Sequence, residues 1–294
     1  MAIYIDPPMW PAHGTEFSHL ISDTSVAELH CFAAAVGIAR RAFDGDHYDV
    51  PARRYLNLVG LGAREVDCGT LTRILIASGL RIPARQRAPR LRRTLLARWG
   101  AAVPQVPGLG ESLVGRWSEV HRSYHTTSHL LEVLEALDLL FAPSDDEALR
   151  RCVRLAAWFH DAVYEGSAGE DECASAELAA EQLAPILPAA EVAEVVRLVL
   201  LTASHAPNPG DRAGELLCDA DLAVLGRPVR GYAQYVASVR AEYAHVNDRD
   251  FAAGRADVLR RLLAMDRLFR TALARQLWQE AARTNLLSEL QDHI

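Results

Sequence analysis

The chain has no lysine: all 31 of its basic side chains are arginines, set against 38 acidic ones for a formal net charge of −7. That balance argues against general nucleic-acid binding, which rests on neutralising phosphates. The missing lysine, in a chain rich in alanine and leucine, reads as the codon usage of a GC-rich bacterial genome and carries no function. Cysteine is scarce. The five present, at 31, 68, 152, 173 and 218, form no Cys-x-x-Cys pair, and their odd number leaves no complete disulfide set. No apolar run reaches the ~18 residues of a transmembrane helix, so no membrane partner is expected. The opening Met1-Ala2-Ile3-Tyr4-Ile5-Asp6-Pro7-Pro8 has neither a basic nor an apolar signal region. A reducing, cytoplasmic location is the expectation.

What is present divides the chain in two. Residues 1–80 alternate short β-type runs with helical ones. Ile3–Ile5 reads as a strand, and Ser25 with Glu28 has capping-box spacing before a helix that stops at Gly37. Arg41–Phe43 reads as a second strand, Pro51 as the first turn of a second helix, Glu65–Val66 as a third strand, and Gly69–Ser78 as a third helix. Three alternations predict a small three-stranded parallel α/β unit. Residues 81–110 read as an arginine-rich linker that becomes helical near Leu91, with Arg81, Arg85, Arg87, Arg90, Arg92, Arg93 and Arg98 broken by Pro83 and Pro89. A solvated joint is the ordinary reading; contact with an anionic substrate or an RNA backbone is the sharper one. Residues 111–294 repeat apolar positions at helical spacing, as in Leu130, Val133, Leu134 and Leu137, and predict an all-α domain. The fold class expected is therefore a two-domain α+β chain.

The chemistry concentrates in the second domain. Tyr124-His125-Thr126-Thr127-Ser128-His129 places two imidazoles four residues apart, one turn on a helix. His160-Asp161 follows an apolar run and sets a nitrogen and an oxygen ligand side by side, and Asp221 lies in Asp219-Ala220-Asp221-Leu222. Two imidazoles and two carboxylates suit Mn, Fe, Co, Ni or Zn better than Ca. A buried hydrogen-bonded pair is the alternative for His160-Asp161 taken alone.

These residues resemble the HD superfamily of metal-dependent phosphohydrolases, whose signature is His, then a His-Asp pair, then a distant Asp. The resemblance runs from about Trp117 to the C-terminus, through residues 124–130, 156–164 and 219–222. It implies His129, His160, Asp161 and Asp221 as ligands of a divalent ion (Mn, Fe, Co, Ni or Mg), with His125 as proton donor. It implies hydrolysis of a phosphate ester or anhydride of a nucleotide or other small phosphorylated metabolite, by attack of a metal-bound water. Glu172 is a candidate to orient that water, although a first-turn helix position explains it too. His205 is a candidate for the phosphate or a second metal. Arg240 is a candidate phosphate clamp, with an ion pair to Glu242 or elsewhere as its ordinary alternative. Asp219 is read as a residue supporting the ligands, or a helix cap.

The first domain is similar to a bacterial domain of unknown function, through residues 4–14, 18–23 and 44–51. That likeness implies no activity. Asp6 and the run Asp46-His47-Tyr48-Asp49, with His13, His19 and His30, form a candidate second polar or metal-binding pocket; turn and cap roles explain Asp23, Asp44 and Asp49 equally. Two other functions stand beside the hydrolase: a nucleotide sensor without turnover, and an RNA-directed activity of the first domain through the arginine-rich joint.

Overall fold

The computed structural model describes residues 2–12, 15–82, 88–167 and 169–292. The chain divides into two compact units, Met1–Arg90 and Leu91–Ile294. His13, Pro83, Arg85 and Arg87 lie outside the described residues.

The first unit is built on a small mixed sheet. Strands β1 (Ile3–Ile5), β2 (Trp10–Ala12), β3 (Thr15–Ser22), β4 (Tyr48–Pro51) and β5 (Arg64–Glu65) join it, with β3 paired to β1, β2 and β4. Those three pairings are antiparallel, and only β1 with β5 is parallel. The expected three parallel strands are thus corrected. Arg40–Ala42 forms a 3-10 turn rather than the second strand. The strand that organises the sheet, β3, lies where none was expected. The reason is double coverage. Leu20 packs with Leu29, Ala33 and Leu58 from α1 (Val26–Ala35) and α2 (Tyr55–Gly60). Its neighbour Ile21 packs on Leu71 and Leu75 of α3 (Cys68–Ala77). A strand buried on both faces loses the apolar–polar alternation by which it would be recognised. The helix starts were legible: Ser25 Oγ accepts from the Glu28 N–H at 3.1 Å, and Gly37, with φ +71°, takes the left-handed position that follows α1.

The second unit is helical. Its first helices, α4 (Ala88–Ala102) and α5 (Pro107–Arg116), occupy most of the expected linker. They belong to the core, because Leu91, Leu95, Trp99 and Val103 are buried with it, and Trp99 meets Trp158 edge-on at 5.2 Å. Two of the joint's arginines pair with acids, Arg92 with Glu111 and Arg98 with Asp138. Then follow α6 (Thr127–Leu140), α7 (Glu147–Phe159), α8 (Glu170–Leu183), α9 (Ala189–Leu201) and α10 (Arg212–Asp221). The unit closes with α11 (Val229–Glu242), α12 (Asp248–Ala264) and α13 (Ala272–Asp292). Helices α6, α7 and α10 pack on one another, which brings the start of α6 and the ends of α7 and α10 together. No helix among the described residues is long and apolar enough to cross a membrane.

Candidate metal centre

Each imidazole and carboxylate of the motif sits at a helix boundary. Thr126 caps α6, its side chain accepting from the Ser128 N–H, so His129 falls in the first turn. His125 precedes the cap and is not helical, so the one-turn argument does not apply to it; its ring nevertheless lies 5.7 Å from that of His129. His160 is the C-cap of α7, Asp161 follows it, and Asp221 ends α10.

The ligand atoms converge. His129 Nε2 lies 3.4 Å from His160 Nε2, 3.0 Å from Asp221 Oδ1 and 4.0 Å from Asp161 Oδ2. His160 Nε2 lies 3.1 Å from Asp161 Oδ2 and 3.5 Å from Asp221 Oδ1. Atoms bound at about 2.1 Å to one ion stand about 3.0 Å apart at a right angle and about 3.4 Å at a tetrahedral one. The spacings of the two imidazoles to each other, to Asp221 and of His160 to Asp161 match those values, and His129, His160 and Asp161 form a group that could hold a metal ion. His160 Nδ1 is 2.9 Å from the Ala157 carbonyl, which accepts its proton and leaves the Nε2 lone pair facing the ligands.

Electrostatics agree. Burial opposes charge on His160, yet Asp161 and Asp221 outweigh it and raise its pKa well above the ordinary histidine range. Burial likewise works against ionised Asp161 and Asp221, and the facing imidazoles, His160 foremost, hold both below the carboxylate range. Two ionised carboxylates withdrawn from water need positive charge beside them, and protons and a dication compete for that place.

His125 stands beside this cluster. Its Nε2 is 3.8 Å from Asp161 Oδ2, its Nδ1 is 2.8 Å from Glu242 Oε2, and its ring lies over Tyr164 at 4.1 Å. Glu242 Oε1 accepts the backbone N–H groups of Ser123, Tyr124 and His125, each at 2.8 Å. Burial raises the Glu242 pKa, but the bond to His125 and these N–H donors overcome it and bring the carboxyl down to about 2. A cleft lined by His121, Tyr164, Glu165, Glu242, Tyr243 and His245 adjoins this pair.

Other expected residues do different work. His205 Nε2 meets Asp221 Oδ2 at 2.7 Å, so it fixes the Asp221 carboxylate; its φ of +50° is the left-handed conformation after α9. Asp219 is fully buried and accepts the N–H groups of Arg270 and Thr271 at 2.7 Å, anchoring the entry to α13. Glu172 is partly buried, and its Oε2 accepts the Gly169 N–H at 2.6 Å, the first-turn capping role that was the other reading of this residue. The buried neighbour Asp171 shapes the loop after Asp161, its Oδ2 accepting N–H groups of Glu165, Gly166 and Ser167. Arg240 is committed to the carbonyls of Tyr243 and Val246 and to Asp248, rather than to a phosphate site or to Glu242.

Two residues escaped the sequence reading. Glu242 is one, separated from His125 by 117 positions. Arg122 is the other. Its buried guanidinium donates to the carbonyls of His125, Asp161 and Ala162 and lies between the rings of Trp117 and Tyr164, so it ties the two ligand-bearing loops together. Its signal was an arginine in the aromatic- and histidine-rich run Trp117–His125.

Residues 3–78 match a family profile described as a protein of unknown function (DUF4031). No curated protein and no solved structure matches the chain.

Proposed function

We propose that the helical unit is a metal-dependent phosphohydrolase acting on a phosphate ester or anhydride of a nucleotide or another small phosphorylated molecule. The observation that carries this reading is the convergence of His129, His160, Asp161 and Asp221 beside a histidine backed by a buried carboxylate. The likeness of these motifs to the HD superfamily supports the same chemistry. His129, His160, Asp161 and Asp221 hold the divalent ion, which supplies a Lewis acid that makes water nucleophilic near neutral pH and offsets charge on phosphoryl oxygens.

The protein groups divide the remaining work. His160, fixed through Ala157, and Asp221, fixed through His205, keep their free atoms aimed at one point. His125 takes the other task, holding a proton at Nε2 for the leaving oxygen while Glu242 accepts the Nδ1–H and fixes the ring. Tyr164 and Tyr243 in the adjoining cleft offer aromatic faces to the organic part of a substrate.

The test is phosphate release from a panel of nucleoside phosphates and small phosphate esters, with Mn²⁺ or Mg²⁺ added to the full chain. The expected result is turnover that a chelator removes and His160→Ala abolishes. An ion bound at His160 with no phosphate released from any member would replace the hydrolase with a ligand-binding sensor.

A further inference from the structure

The first unit carries a second convergence of imidazole and carboxylate, independent of the reading above. His19 lies on β3 and Asp49 on β4, and the antiparallel register sets these two residues directly opposite each other. Cross-strand partners share a face of the sheet. His47 lies in the bend that leads directly into β4, two residues before Asp49. The atoms meet accordingly. His47 Nε2 lies 3.3 Å and His19 Nε2 3.9 Å from Asp49 Oδ1, with all three ligand atoms within 4.8 Å of one another. The two rings stand edge to face, 4.6 Å between centroids.

The layer behind these three residues sets them apart from a surface cluster. His19 Nδ1 pairs with Asp6 Oδ2 at 3.1 Å, and His47 Nδ1 with Asp46 Oδ1 at 2.6 Å. Both carboxylates are buried, each 1% exposed. Asp6 also accepts the backbone N–H of His19 and the indole N–H of Trp10, and Asp46 the N–H of Ile82. A fixed carboxylate that takes the Nδ1–H sets the tautomer, turns the Nε2 lone pair outward and makes it more basic, as in metal-binding histidines generally. Here the device occurs twice, and both Nε2 atoms face one carboxylate oxygen. His30 has no such backing and no share in the cluster; its Nδ1 meets the Tyr48 hydroxyl at 2.8 Å.

We infer that His19, His47 and Asp49 bind a divalent transition-metal ion, with Asp6 and Asp46 orienting the two imidazoles. Two imidazole nitrogens and one carboxylate select Zn²⁺, Fe²⁺ or Mn²⁺ over Ca²⁺ and Mg²⁺. Three protein ligands leave coordination positions for water or an exogenous oxygen ligand. The Asp49 side chain is 45% exposed, which gives the ion access to solvent. All five residues fall within residues 3–78, so the site belongs to the domain whose function is unassigned.

The test uses the full chain with the helical site silenced by His160→Ala and Asp161→Ala, stripped of metal and titrated with Zn²⁺ by calorimetry. One equivalent binds. Adding His47→Ala removes it, and Asp46→Asn weakens it about 10- to 100-fold. Asp49→Asn keeps the size of a half-exposed side chain and lowers zinc affinity, with circular dichroism recording that the fold persists. No zinc binding in the silenced chain, or binding unchanged by both His47→Ala and Asp49→Asn, would overturn the inference. As a second measurement, elemental analysis of zinc-loaded but otherwise unaltered protein should lose one equivalent on Asp49→Asn; no loss would also overturn it. Both readouts report on the first unit alone, so they stand or fall apart from the phosphohydrolase reading.

Discussion

The two units gather imidazoles and carboxylates by opposite means. In the helical unit the donors span residues 129–221 and sit at helix boundaries, where the chain turns and side chains are least constrained by the helix itself. Their loops are held by dedicated bonds: Arg122 to three carbonyls, Asp171 to three N–H groups, Glu242 to three more. In the sheet unit the donors span residues 19–49, and strand register does the placing. A helical site of this kind depends on buried hubs far from the ligands in sequence, whereas a sheet site depends on one pairing.

The largest effect expected from that difference is on Arg122. Arg122→Ala orphans three carbonyls beside the ligands and should cost about 3 kcal/mol, at roughly 1 kcal/mol or more for each. Urea unfolding of the helical unit checks it, and an unchanged midpoint would mean the loops hold themselves. Next is Glu242→Gln, which removes the charge that fixes His125 but no metal ligand. Turnover should fall about 100-fold with metal content unchanged; a parallel loss of metal would make Glu242 part of the binding site. Glu172→Gln should cost about 1 kcal/mol or less as a weakened cap and leave turnover alone. A large loss of turnover there would restore the water-orienting role expected from sequence.

The smallest effect is a pH dependence. Arg212, at the start of α10, donates to both oxygens of Asp145 at 3.0 and 2.7 Å, and this pair lowers the Asp145 pKa. A carboxyl lowered on folding adds stability above its unfolded value of about 3.9, lost as the pH falls through the folded value. Acidification from pH 5 to pH 3 should therefore lower the urea midpoint of the unaltered protein more than that of Asp145→Asn. Equal slopes would remove the pair from the account.

The sequence disclosed the helical cluster better than the sheet one, and the reason lies in distance. His125, His129 and the His160-Asp161 pair stand in short runs whose residue types announce ligands, and the structure brings them together with Asp221. Glu242 and Arg122 act through contacts that no local spacing encodes. In the first unit Asp6 and the run 46–49 were visible as polar residues near expected strand ends, with His19 nearby in sequence, yet their convergence depends on β3. Leu20 and Ile21 are buried on opposite faces of that strand, which erased its signature. Glu172 shows the converse difficulty, and Asp219, read from the start as a supporting residue or a cap, shows its resolution. An acidic residue near a motif attracts a catalytic reading, while helix ends and entry loops claim carboxylates just as readily.

The proposed phosphohydrolase requires that the helical unit hold an ion at His160 and use it. Its most direct test is elemental analysis of manganese-loaded full chain, unaltered and His160→Ala, with phosphate release measured on the same samples. The His160→Ala protein is expected to lose one equivalent of metal and all turnover together. Equal metal content with equal turnover in the two proteins would contradict it.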